Sequence, residues 1–162
     1  FYRRVADIAS PRGIKLVLDS SGAGLREGLE GGGVHLVKPS LGELRGLAGQ
    51  ELDSEDAIAA AAMEIIDKGQ AELVAVTLGH RGALLAQKGR TLRLPAVPIE
   101  ARSAVGAGDS FLAAMVFALS GGQAVDEAFR FGIAAGAAAL LTPGTGLAHP
   151  KDIERLRASV AS

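Results

Sequence analysis

The stretch from Asp53 to Leu78 constrains the fold of this chain more tightly than any other. Asp53 to Lys68 places Ile58, Ala61, Ala62, Ile65 and Ile66 on one helical face. Glu55 and Asp56 fall in the first turn, where the helix dipole favours carboxylates. Asp53 is positioned to cap this helix and Gly69 to end it. Leu73 to Leu78 follows as a near-continuous apolar run, the pattern of a strand buried on both faces. A helix that feeds such a strand belongs to a layered α/β sheet with parallel neighbours.

The flanking segments extend the same alternation. Phe1 to Ala9 reads as a helix stopped by Pro11-Arg12-Gly13, and Ile14 to Leu18 as a short buried strand. Ala23 to Glu30 is a short helix, His35 to Val37 a second strand, and Leu41 to Leu47 a helix with Ser40 as N-cap. After the turn Gly79-His80-Arg81-Gly82, Ala83 to Ala86 and Thr91 to Leu94 form a hairpin about Lys88-Gly89. Gly108 to Leu119, Val125 to Leu141 and Lys151 to Val160 are helices. No internal repeat interrupts this order, and no linker divides the chain into separate domains.

Composition removes several function classes. Seventeen basic against 18 acidic residues leave a net charge of −1, so no broad basic face for nucleic acid is expected. With no cysteine there is no disulfide framework, thiolate nucleophile or thiolate zinc site. The longest apolar run, Phe111 to Leu119, is too short for a bilayer, and the N-terminal stretch lacks a signal-type run. A soluble cytoplasmic protein is expected. His35, His80 and His149 show no metal spacing. Glycine, with 22 of 162 residues, is in marked surplus.

The most informative glycines lie in Ala104-Val105-Gly106-Ala107-Gly108-Asp109-Ser110-Phe111, just before an apolar helix. Without Cβ atoms at 106 and 108, successive backbone N–H groups can converge at a helix start, a site suited to a phosphoryl group. Asp109 there could stay ionised and accept a hydroxyl proton. The alternative is a plain glycine turn with Asp109 as an ordinary helix-start acid. Neither a Walker loop nor the Gly-x-Gly-x-x-Gly dinucleotide fingerprint occurs in the chain.

Val105 to Phe111 resembles the C-terminal signature of the ribokinase-like (PfkB) carbohydrate kinases. Leu36-Val37-Lys38-Pro39-Ser40-Leu41-Gly42-Glu43-Leu44 resembles the family's Lys-Pro-Asn-x-x-Glu segment. Thr77 to Ala83 resembles its nucleotide loop, Phe131 to Ala137 its adenine-pocket helix, and Leu141 to Thr145 the segment that closes the site. Within the family, Val17 to Gly22 and Arg102 to Gly106 look most like the phosphosugar branch, with 6-phosphofructokinases of the minor type nearest.

The resemblance implies a three-layer α/β/α ribokinase-like sheet, of which residues 1–162 are the C-terminal, nucleotide-binding half, without the N-terminal half and its β lid. It implies ATP-dependent transfer to a sugar phosphate, fructose 6-phosphate first, with 1-phosphofructokinase or tagatose-6-phosphate kinase as alternatives. A non-catalytic nucleotide-binding module is the alternative of another class. The parent would be a homodimer using ATP and a sugar phosphate, and the 162-residue chain alone is expected to be inactive.

By the same resemblance Asp109 is the catalytic base, and the amides of Gly106, Ala107 and Gly108 form the anion hole. Glu43 organises magnesium through water or phosphate, its alternative being a solvated helix carboxylate. Lys38 and Ser40 contact nucleotide phosphates. Ser40 departs from the asparagine of many relatives, and Lys38 could instead be an exposed strand-end lysine. Thr77, Gly79 and Gly82 lie against the nucleotide or are plain turn residues. Ile133, Gly136 and Ala137 face adenine or serve helix packing. Ser103, Val105, Ala139, Thr142 and Gly144 fall where relatives place oxygens around potassium.

Overall fold

The computed structural model describes residues 1–160. The chain divides into two compact units: Phe1–Leu78 with Leu84–Arg93, and Gly79–Ala83 with the chain from Leu94 onward.

The first unit opens with helix α1 (Tyr2–Ala9), strand β1 (Leu16–Leu18), helix α2 (Gly22–Glu30) and strand β2 (Val34–Val37). Helices α3 (Leu41–Ala48) and α4 (Glu55–Asp67) lead to β3 (Ala71–Thr77), and β4 (Ala83–Gln87) and β5 (Arg90–Leu94) close the sheet. The strands lie in the order β1-β2-β3-β4-β5. The first three are parallel, in the register Leu18↔Val37 and Val37↔Val74. The helical segments between them supply the crossovers that parallel neighbours need, whereas the short links around Gly79–Gly82 and Lys88–Gly89 permit only antiparallel pairing.

Leu25 and Leu29 of α2, Leu44 of α3, and Ile58, Ala62 and Ile65 of α4 form one apolar cluster with Leu18, Val37, Val74, Val76 and Leu84 of the sheet. Leu73, Ala75 and Leu85 are buried as well. Strand β3 is therefore covered on both faces, as its unbroken apolar run requires.

The sequence expectation fails at two points in this unit. Residues 14–18 were expected as a buried strand, but β1 begins only at Leu16, and Ile14 is 58% exposed. Strand β1 is an edge of the described sheet and has one neighbour rather than two. The cap of α4 is Ser54, not Asp53: the Ser54 hydroxyl accepts from the N–H of Ala57 at 3.1 Å. Asp53 instead lies 3.7 Å from the Arg45 guanidinium.

The second unit holds α5 (Ala107–Ser120), α6 (Val125–Leu140) and α7 (Pro150–Arg157). Helix α7 ends three residues before the expected Val160: Ala158 already caps it. Phe111 of α5 and Phe129 of α6 meet edge to face with centroids 5.9 Å apart. Arg157 of α7 lies 5.2 Å over the Phe131 ring. Gly82 has φ +102°, and a Cβ there would collide with the backbone of Leu94, Pro95 and Ala96, so only glycine fits this turn.

The Ser54 cap makes a direct prediction. Ser54→Ala should lower unfolding stability by about 1 kcal/mol, whereas Asp53→Ala should cost no more than about 0.5 kcal/mol, read as urea midpoints at constant m-value. Equal losses would restore Asp53 as the cap.

Candidate functional site

In the first unit the candidate residues gather at the carboxyl ends of parallel strands, where open α/β sheets characteristically bind ligands. Lys38 directly follows β2. Ser40, three residues past β2, forms an isolated parallel bridge with Thr77, the last residue of β3, and the Thr77 N–H donates to the Pro39 carbonyl at 3.0 Å. The β2–β3 ladder thus resumes past Lys38 and aligns the start of α3 with the end of β3.

Ser40 caps α3 as its sequence position indicates. Its hydroxyl accepts from the Glu43 N–H at 3.3 Å, and one Glu43 carboxylate oxygen accepts from the Ser40 N–H at 2.7 Å. This reciprocal capping box satisfies two donors and fixes the direction of the Glu43 carboxylate. Glu43 is half-buried and anchored by this box rather than freely solvated. Nor is Lys38 exposed: the residue retains 8% of its accessibility, and its ammonium lies 3.4 Å from Asp19 Oδ1. Thr77 is half-buried.

In the second unit Gly106 adopts φ +77° as the N-cap of α5, and no side chain caps the helix. The first helical bond runs from the Ser110 N–H to the Gly106 carbonyl at 2.9 Å. The N–H groups at Ala107, Gly108 and Asp109 consequently precede the helical ladder, as donors an anion can satisfy. Asp109 is exposed in that first turn.

Two glycines of α6 allow the start of α5 to come close. A Cβ on Gly132 would stand 3.1 Å from the Phe111 carbonyl, and one on Gly136 would stand 3.2 Å from the Ala107 carbonyl. Gly136 therefore packs against the glycine loop itself. Ile133 and Ala137 are buried on the same helix at 6% and 8% exposure. Gly79 is exposed with φ +61° at the other turn.

The five expected potassium residues also lie in this unit. The Ser103 hydroxyl donates to the Gly144 carbonyl at 3.0 Å and accepts from the Val105 N–H at 3.2 Å. Thr142 Oγ1 is buried 2.8 Å from the carbonyls of both Ala139 and Gly146, although its single proton can serve one at a time. The Arg102 N–H donates to the Leu140 carbonyl at 2.7 Å, tying the approach to Gly106 onto the end of α6. Such an all-oxygen set suits a hard cation.

Sequence reading did not single out Asp19, the ion-pair partner of Lys38. The available signal was its place: Asp19 directly follows β1 as Lys38 directly follows β2, and the register pairs Leu18 with Val37.

The model of the family described as pfkB family carbohydrate kinase matches residues 1–152. An ATP-dependent 6-phosphofructokinase isozyme 2 from Mycobacterium tuberculosis is 47% identical over 155 residues, 96% of this chain and 45% of that protein. Among solved structures, phosphofructokinase-2 from Escherichia coli in complex with potassium superposes with a TM-score of 0.93 at 37% identity, covering 98% of this chain and 51% of that one. The same enzyme in complex with fructose-6-phosphate gives 0.89 at 35% identity, covering 98% and 50%. The chain spans about half the length of the relatives it matches, and its α/β fold is the one its sequence led us to expect.

The close approach of α6 to the glycine loop can be tested by paired substitutions. Gly136→Ala should destabilise the chain by about 1–3 kcal/mol, because a methyl group there presses on the Ala107 carbonyl. Gly46→Ala, in open space on α3, should be neutral or stabilise by up to about 1 kcal/mol. Thermal melts of both variants give the comparison.

Proposed function

The chain belongs to the pfkB family of carbohydrate kinases, and on that premise we propose that it is the C-terminal, nucleotide-binding half of an ATP-dependent kinase. The acceptor is a hydroxyl of a sugar phosphate, with fructose 6-phosphate converted to fructose 1,6-bisphosphate. The observation that carries this reading is the uncapped start of α5, with Gly106 at φ +77° and Asp109 in the first turn. The name of the M. tuberculosis relative and the fructose-6-phosphate complex of the E. coli enzyme support the choice of sugar.

On this reading Asp109 accepts the proton of the attacking hydroxyl, and the amides of Gly106, Ala107 and Gly108 stabilise charge on the transferring phosphoryl oxygens. Phosphoryl transfer depends mainly on positioning and electrostatics, which preorganised backbone donors supply without reorganisation. Lys38 and Ser40 hold nucleotide phosphates, Thr77, Gly79 and Gly82 lie along the nucleotide, and Ile133, Gly136 and Ala137 form the adenine side.

Glu43 fits an outer contact to magnesium, since its capping bond occupies one oxygen and orients the other. Bound magnesium would neutralise charge on the phosphates. The oxygens of Ser103, Val105, Ala139, Thr142 and Gly144 would hold potassium, an ion present in the E. coli enzyme's structure. The parent enzyme is on this account a cytoplasmic homodimer. No helix among the described residues is long and apolar enough to cross a membrane.

Asp109→Asn in the parent enzyme should lower kcat by about 10²–10⁴-fold and leave Mg-ATP affinity within about twofold. Turnover near that of the unsubstituted enzyme, measured by coupled ADP release, would remove Asp109 from the role of base.

A further inference from the structure

Lys38 and Asp19 occupy equivalent places at the ends of neighbouring strands. Leu18 and Val37 are the last paired residues of β1 and β2, so the next residue on each strand is Asp19 and Lys38 respectively. Parallel register brings such residues side by side on one face. The contact is realised at 3.4 Å between the ammonium and Asp19 Oδ1, and the backbone agrees, with the Lys38 N–H donating to the Leu18 carbonyl at 3.4 Å.

The two ends of this pair differ in exposure. The Lys38 side chain is 9% exposed and that of Asp19 is 36% exposed. A buried ammonium without a counter-charge carries a large desolvation penalty, whereas a partly solvated carboxylate does not. Asp19 therefore supplies a counter-charge beside the nearly buried Lys38 ammonium. Lysine otherwise offers a point charge on a flexible four-carbon stem. Here the stem is already buried, and the ion pair with Asp19 restrains where the ammonium sits.

We infer that Asp19 is a positioning residue: through the strand-end pair it holds the Lys38 ammonium in place for the phosphates of a bound nucleotide. This rests on the proposed nucleotide reading of Lys38 and adds a residue to it. Asp19 could also act in the opposite sense, as a negative charge that repels the anionic ligand. Its solvent exposure screens that repulsion, while the benefit to a nearly buried ammonium is screened far less. Positioning should therefore win.

A double-mutant cycle in Mg-ATP affinity, measured by calorimetry on the parent enzyme with melting temperatures recorded alongside, separates the possibilities. Lys38→Met should weaken binding about tenfold, and Asp19→Asn about fivefold or more. Asp19→Glu, which keeps the carboxylate, should restore most of the affinity. The deciding reading is Asp19→Asn introduced into the Lys38→Met background, where the further change should stay within about twofold. A general structural role for Asp19 would weaken binding equally in both backgrounds and overturns the inference, as does tighter binding by Asp19→Asn. If Lys38→Met binds as well as the unsubstituted enzyme, or that enzyme takes up no Mg-ATP, the nucleotide reading of Lys38 falls and the role of Asp19 falls with it.

Discussion

The first unit depends on the parallel pairing of β2 with β3. Its register, Val34↔Ala71 through Val37↔Val74, resumes at Ser40↔Thr77 after Lys38 and Pro39. Val74 and Val76 fill the α2–α4 cluster, where a one-residue slip would put side chains of other size from the opposite face, so packing there favours this register. That same register determines what stands at the strand ends. Lys38 meets Asp19 across β1, Ser40 meets Thr77 across β3, and the capping box then turns Glu43 to a fixed direction. Polar chemistry at the sheet's carboxyl ends is thus a consequence of apolar packing in its middle.

The second unit achieves comparable order with the absence of side chains. Gly106 turns the chain through a left-handed conformation into α5, and Gly132 and Gly136 let α6 approach the Phe111 and Ala107 carbonyls. Bonds from the Arg102 and Ser103 amides to Leu140, and from the Ser103 hydroxyl to Gly144, hold the approach to that turn. The donors at the start of α5 are consequently set by packing on one side and backbone bonds on the other. Such preorganisation is what electrostatic catalysis requires, since the donors need not move as charge develops.

Features set by local chemistry were legible in the sequence. The helix-then-strand alternation, the doubly buried β3, the Ser40 cap and the glycine start of α5 each follow from period, turn residues or capping preference. Features set by register or by a choice among equivalent neighbours were not. Asp53 and Ser54 are both good caps, and only the backbone path into α4 selects Ser54. The burial of Lys38 depends on which residue stands beside it across β1, which no single segment encodes. Gly82 reads as an ordinary turn glycine, yet its lack of a Cβ is demanded by residues 94–96, a dozen positions later. Gly136 and Ala137 are neighbours in one small-residue helix, and only the structure shows Gly136 against the glycine loop.

The proposed activity of this fold, with Asp109 at an uncapped helix start, is phosphorylation of fructose 6-phosphate. The most direct test is coupled ADP release by the parent enzyme, with fructose 6-phosphate, fructose 1-phosphate and tagatose 6-phosphate offered at equal concentration. The highest kcat/KM is expected for fructose 6-phosphate. A higher value for either of the other sugars, or ADP release from none of the three, would contradict it.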